Sequence, residues 1–60
     1  MEKLLLTPEE AAELLSVGRT TVYDLIRLGA LPSVKIGKAR RVPAAAVRGY
    51  VERLVESQAI

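Results

Sequence analysis

Ser16-Val17-Gly18-Arg19-Thr20-Thr21-Val22-Tyr23-Asp24-Leu25-Ile26-Arg27-Leu28-Gly29 is the stretch on which the fold turns. Val22, Leu25 and Ile26 recur at i, i+3 and i+4, the spacing of one apolar face of a helix, so a helix is predicted over residues 19–28. Gly29 stands where a helix closes on a left-handed glycine. Ahead of it, Ser16-Val17-Gly18 interrupts an earlier pattern. That pattern opens at Thr7-Pro8-Glu9-Glu10, with Thr7 as N-cap, Pro8 at the first helical position and Glu10 where a capping box places its carboxylate. Ala11, Leu14 and Leu15 then give an apolar stripe, and a helix is predicted over 8–15. Two short helices joined by about three residues, with an apolar residue at the centre, make the helix-turn-helix pattern. Val17 is expected to plug the angle between them. The same spacing also describes an ordinary αα-corner, and the segment downstream bears on the choice.

Leu31-Pro32 breaks the helical pattern, and Val34-Lys35-Ile36, Gly37-Lys38-Ala39 and Arg40-Arg41-Val42 read as strand, turn and returning strand. A two-stranded hairpin of this size must lean on the helices to be stable. Leu4 to Leu6 offers a third short strand. Pro43 then opens a last helix over 44–57, with Val47, Tyr50, Val51, Leu54 and Val55 on one face. This face is expected to be the main clamp on the core; a partner-docking or membrane-surface role is the alternative. The expected architecture is mainly α with a small β-hairpin, a winged helix-turn-helix of three helices plus a wing at 34–42, forming one domain over residues 1–60.

Sixty residues bury only about 60% of their unfolded surface, so the core is small. Half the residues are hydrophobic, yet Tyr23 and Tyr50 are the only aromatics, which leaves Leu, Val, Ile and Ala to build that core. Without cysteine or histidine there is no disulfide framework, no thiolate ligation and no usual catalytic base. The apolar runs fall far short of the roughly 20 residues that span a bilayer, and Leu4-Leu5-Leu6 is too short for the core of a signal peptide. A cytoplasmic protein without membrane contact is expected. Glu9 and Glu13 share a helix face as a solvated pair, Ser16, Ser33 and Ser57 lack an activating histidine, and no glycine-rich phosphate loop is present. No enzyme, cofactor, metal or small-molecule ligand is expected.

The net charge of +2 is unevenly spread. Between residues 19 and 48, Arg19, Arg27, Lys35, Lys38, Arg40, Arg41 and Arg48 face Asp24 alone, whereas both ends are net acidic. With Val22, Leu25 and Ile26 turned inward, Arg19, Thr20, Thr21, Tyr23, Asp24 and Arg27 occupy or flank the outer face of the second helix. Arg19 suits guanine O6/N7 or a phosphate; Thr20 and Thr21 suit phosphate or a thymine methyl; Tyr23 suits the backbone. Asp24 either accepts from cytosine N4 or orients Arg27, and the second option has the lower electrostatic cost. Lys35, Lys38, Arg40 and Arg41 suit a wing on the sugar–phosphate or in a minor groove. Strand alternation sends Arg40 and Arg41 to opposite faces, so only one of them reaches a groove.

Taken in order, Leu6-Thr7-Pro8-Glu9-Glu10-Ala11-Ala12-Glu13-Leu14-Leu15, Val17-Gly18-Arg19-Thr20-Thr21-Val22-Tyr23-Asp24-Leu25-Ile26-Arg27, Gly29-Ala30-Leu31-Pro32 and Ile36-Gly37-Lys38-Ala39-Arg40-Arg41-Val42-Pro43 resemble the excisionase-type, MerR-related winged helix-turn-helix family over residues 4–55. The resemblance implies a second helix in the major groove and a wing on the adjacent minor groove or backbone. The chain departs from that family at the turn, which usually has glycine at position 16 and serine at position 18. It also departs at Asp24, Ala39 and Arg40, where basic or neutral, basic and aromatic residues respectively are more usual. Ending at Ile60, it shows neither the long dimerisation helix nor the effector-sensing segment of MerR regulators, so a bare DNA binder is expected. The resemblance implies an excisionase, a recombination directionality factor that bends attachment-site DNA and directs an integrase toward excision. It would act on double-stranded DNA in a bacterial or phage setting, associated with the nucleoid, with cooperative self-association on adjacent sites. A small transcriptional regulator of the same fold and a protein-interaction module are the alternatives.

Overall fold

The computed structural model describes residues 3–58, in the order β1 (Leu5–Leu6), α1 (Pro8–Leu15), α2 (Arg19–Arg27), β2 (Val34–Ile36), β3 (Ala39–Pro43) and α3 (Ala44–Gln58). The first helix begins as its sequence dictates. Thr7 Oγ1 accepts from the Glu10 backbone N–H at 3.1 Å, and the Glu10 carboxylate accepts from the Thr7 N–H at 2.9 Å, completing a capping box with Pro8 at the first position. Glu10 also pairs with Lys3. The Lys3 ammonium, joined by the Thr7 N–H, holds the Glu10 carboxyl down to about 2.

The turn between the first two helices is built on Ser16, whose φ of 58° lies in the left-handed region. Its N–H donates to Glu13 O at 3.2 Å while the Val17 N–H donates to Ala12 O at 3.0 Å, so the last carbonyls of α1 are satisfied. Gly18 follows as N-cap of α2 at an ordinary φ of −74°, and it supplies no side-chain acceptor to the helix behind it. The far end of α2 closes as a Schellman motif. Gly29, at φ +79°, donates to Ile26 O at 3.1 Å, and the Ala30 N–H donates to Leu25 O at 2.9 Å.

That reversal carries Leu31 into the core, where it is fully buried together with Val22 and Val42. Leu6, Ala11, Ala12 and Val47 complete the buried set, and Leu15, Leu25, Ile26, Ala44 and Tyr50 pack around it. Two expectations are corrected here. Val17 does not plug the corner: it is 40% exposed, and Val22, packed in one core with Ala11 and Ala12, does the filling instead. Ala11 and Ala12 offer only methyl groups from α1, and Val22 packs in one cluster with them. Leu14 is 66% exposed, because the buried face of α1 runs through Pro8, Ala11 and Ala12 with Leu15 at its edge.

The sheet is antiparallel with order β1-β3-β2. The third short strand is therefore present, with Leu6 opposite Val42 and Leu5 opposite Pro43. Pro43 ends β3 rather than opening the helix, and the next N–H, that of Ala44, donates to Leu4 O at 2.9 Å. Gly37 and Lys38 connect β2 to β3. Gly37, at φ +60°, takes the first central position of this two-residue turn, where a type II′ turn requires glycine.

α3 is only partly the clamp expected of it. Val47 is buried and Ala44 and Tyr50 are half-buried, but Val51, Leu54 and Val55 on the same stripe are exposed. Beyond Tyr50 every described residue is exposed, so the distal half of the helix extends past the core. An open apolar groove of about 700 Å³ runs between α1 and α3, lined by Leu6, Leu14, Val47 and Val51 and rimmed by Glu13 and Glu52. No helix among the described residues is long and apolar enough to cross a membrane.

Candidate nucleic-acid interface

The surface of interest is formed by α2 and the β2–β3 hairpin. Arg19, Thr20, Thr21, Tyr23 and Arg27 are all exposed on α2, since burial of Val22 and partial burial of Leu25 and Ile26 turn the remaining positions outward. The first N–H groups of α2 lie beside Arg19, Thr20 and Thr21 without a side-chain cap, and helix termini of this kind favour an anionic oxygen. On the hairpin, Lys35, Lys38 and Arg40 are exposed and Arg41 is half-buried.

Strand register separates the two arginines. Arg40 stands opposite Lys35 and shares its sheet face with Val42, which is buried in the core; Arg41 stands opposite Val34 on the other face. Arg40 therefore belongs to the face that meets α2. There it lines an open cleft of about 390 Å³ with Tyr23, Ile26 and Arg27. Its Nη1 donates to Ser33 Oγ at 2.9 Å, whereas Arg41 Nη1 donates to the Arg40 carbonyl at 3.0 Å.

Both α2 cations, Arg19 and Arg27, have carboxylate partners. Arg27 pairs with Asp24 three residues earlier, the orienting role expected of Asp24. Arg19 Nη1 lies 3.4 Å from Glu9 at the start of α1. All four groups are largely solvent-exposed, so each pair contributes little stability, and a competing anion can displace the carboxylate at small cost. The structure thus gathers Tyr23, Arg27 and Arg40 around one cleft. Arg19, Thr20 and Thr21 lie at the opposite end of α2, Lys38 sits at the hairpin tip and Arg41 faces away. Glu9 and Ser33 escaped sequence reasoning as partners of site residues. Both contacts cross a turn or a loop, and no periodicity marks them. Among the described residues there is no acidic, histidine or cysteine cluster able to hold a metal ion.

Two helices meeting across a tight turn, followed by a hairpin that pairs with the strand before them and by a third helix, define a helix-turn-helix domain. The chain belongs to this family: the family model described as "Helix-turn-helix domain" matches residues 5–55. Among its relatives are an "Excisionase" of Streptomyces ambofaciens, 54% identical over 80% of this chain and 77% of its own length, and a "Probable excisionase" of Saccharopolyspora erythraea, 46% identical over 93% of this chain. The chain spans 57% of the length of the Saccharopolyspora protein. A candidate DNA-binding protein of Mycobacterium tuberculosis is 46% identical over 80% of this chain and 62% of its own length. No solved structure matches the chain.

Proposed function

We infer that the protein binds double-stranded DNA sequence-specifically as an excisionase, bending attachment-site DNA and directing an integrase toward excision. The reading is carried by one observation, that a relative named as an excisionase aligns at 54% identity with four-fifths of this chain, and it is supported by the exposed arginines of α2 beside a basic hairpin. In this reading α2 enters the major groove, with Arg19, Thr20 and Thr21 at the base edges and nearest phosphates, while Tyr23 and Arg27 contact the backbone. Lys35, Lys38 and Arg40 lie along the sugar–phosphate or the adjacent minor groove, and Arg41 braces the hairpin from its other face. Bending by such a module is an architectural role that needs no active site. Adjacent copies would bind cooperatively, and the integrase and neighbouring copies have available the α1–α3 groove, which shares no residue with the α2–hairpin cleft. The setting is the cytoplasm of a bacterium, on the nucleoid or a mobile element.

The test is recombination in vitro. With the cognate integrase and paired attachment sites, adding the protein should raise excision and suppress integration, and a footprint should cover the attachment region. Footprinting without any change in integrase output would replace the excisionase reading with that of a transcriptional regulator, which uses the same residues. Binding itself should weaken steeply with salt: with about 4 to 6 phosphates contacted, log K against log salt should fall with a slope of roughly −4 to −5. Absence of binding to any duplex at low salt would overturn both readings.

A further inference from the structure

A helix in a major groove and a hairpin in the adjacent minor groove straddle one sugar–phosphate strand, because that strand is what separates the two grooves. Whatever lies between helix and hairpin must therefore face phosphates rather than base edges. Here that position is the cleft lined by Tyr23, Ile26, Arg27 and Arg40. We propose that this cleft seats a single DNA backbone phosphate, with Arg40 as its principal ligand and Ser33 as the residue that positions Arg40. The proposal rests on the DNA-binding reading above and adds to it a specific anion seat and a residue outside the basic set.

Three observations carry it. Register places Arg40, not Arg41, on the sheet face shared with Val42 and turned toward α2, with Lys35 directly opposite on the same face. Arg40 is held by a neutral hydroxyl, Ser33 Oγ, at 2.9 Å, whereas Arg19 and Arg27 are paired with Glu9 and Asp24. Its guanidinium is thus oriented without being neutralised, and a planar group with five N–H donors that spends one on Ser33 keeps the others for a phosphate oxygen. Tyr23 and Arg27 line the same cleft, so a phenol and a second guanidinium belong to its wall. Asp24 is paired with Arg27, which leaves Arg40 as the cation of the cleft wall held by a neutral group. Ser33, half-buried in the loop before β2, fixes the guanidinium before DNA arrives, so ordering it costs less on binding.

The experiment uses a duplex recovered by the wild-type protein from a random pool, resynthesised with one methylphosphonate at a time to neutralise each phosphate in turn. Wild-type affinity should fall about tenfold at one phosphate between the protected major-groove and minor-groove positions. Ser33→Ala should weaken binding about threefold to tenfold on all sequences with base preference unchanged, and Ser33→Thr, which keeps the hydroxyl, should restore it. Arg40→Ala should reduce the salt slope by about 1, and should have no further effect on the duplex already neutralised at that phosphate. Unchanged affinity for Ser33→Ala, or an Arg40→Ala loss that is the same on every methylphosphonate duplex, would overturn the seat while leaving DNA binding intact. Failure of the wild-type protein to recover any duplex would overturn the DNA-binding reading and the seat with it.

Discussion

Exchanging the two residues that flank Val17 should stabilise the protein measurably. Ser16 holds a left-handed φ of 58°, a conformation that costs a residue with a Cβ about 1–2 kcal/mol, whereas glycine adopts it freely. Ser16→Gly removes that strain but loosens the unfolded chain by about 0.4–1 kcal/mol, so a net gain of about 0.5–1 kcal/mol is expected. Gly18 presents the mirror case. Its φ of −74° suits any residue, and a Cβ built there meets nothing within 4 Å. Gly18→Ser should stiffen the unfolded chain and add a cap to α2, together about 0.5–1 kcal/mol. At roughly 2.1 cal/mol/K per residue, a chain of this length gains about 8 °C in Tm for each kcal/mol. The double variant, with about 1–2 kcal/mol in hand, should melt about 8–16 °C higher by circular dichroism at fixed protein concentration. A lower Tm for Ser16→Gly would refute the left-handed turn, and a lower Tm for Gly18→Ser would refute an N-cap open to a side chain.

Other expectations follow from the same geometry. The Glu10 carboxyl is held at about 2 by Lys3 and the Thr7 N–H, against an ordinary value of 4.5, so its contribution is present above pH 4.5 and lost as pH falls toward 2; Glu10→Gln should flatten the acid limb of a Tm-against-pH curve over that window. Val17→Asp should shift stability by no more than about 1 kcal/mol because the side chain is 40% exposed, whereas Val22→Asp, placing an unpaired charge in the core, should abolish cooperative melting. In binding assays, Arg19→Ala should relax preference at one base pair by about 1–3 kcal/mol, while Lys38→Ala should weaken all duplexes alike. Equal losses from Arg19→Ala on every sequence would make it a phosphate contact instead. Gly49→Ala should raise stability by about 1 kcal/mol, read in a thermal melt, since the added methyl meets only the Arg53 side chain at 3.5 Å.

Much of the fold was legible because its signals are local. Thr7, Pro8 and Glu10 announce one helix start, Gly29 a helix end, and Gly37 a turn, and each acts within a few residues of itself. What sequence could not show was which apolar residues would find cover. Leu14, Val51, Leu54 and Val55 all have the right spacing, yet they are exposed, since periodicity states which residues share a face and not whether another element lies against it; Val17, singled out by its place in the turn, is exposed as well. Leu31 was the converse. Isolated in a break between patterns, it carries no periodic mark, and it is buried because the Schellman turn at Gly29 folds it back. At the candidate site, the basic residues were legible from charge alone, and alternation correctly split Arg40 from Arg41. Which of them faces α2 depends on the register of β3 against β1 and β2 and on Val42 being the buried neighbour, a tertiary fact.

The pairing of β1 with β3 also sets an order of events during synthesis. The α1–α2 corner is made from contacts between near neighbours in the chain and can form as soon as residues up to Leu31 have left the ribosome. Leu6, however, finds Val42 only after the hairpin has emerged, and the Ala44 N–H then ties the start of α3 to the Leu4 carbonyl near the other end of the described chain. Closing that long loop is the slow, non-local step. Until it is complete, Leu6 and the core face of β3 lack the partners that bury them in the folded chain.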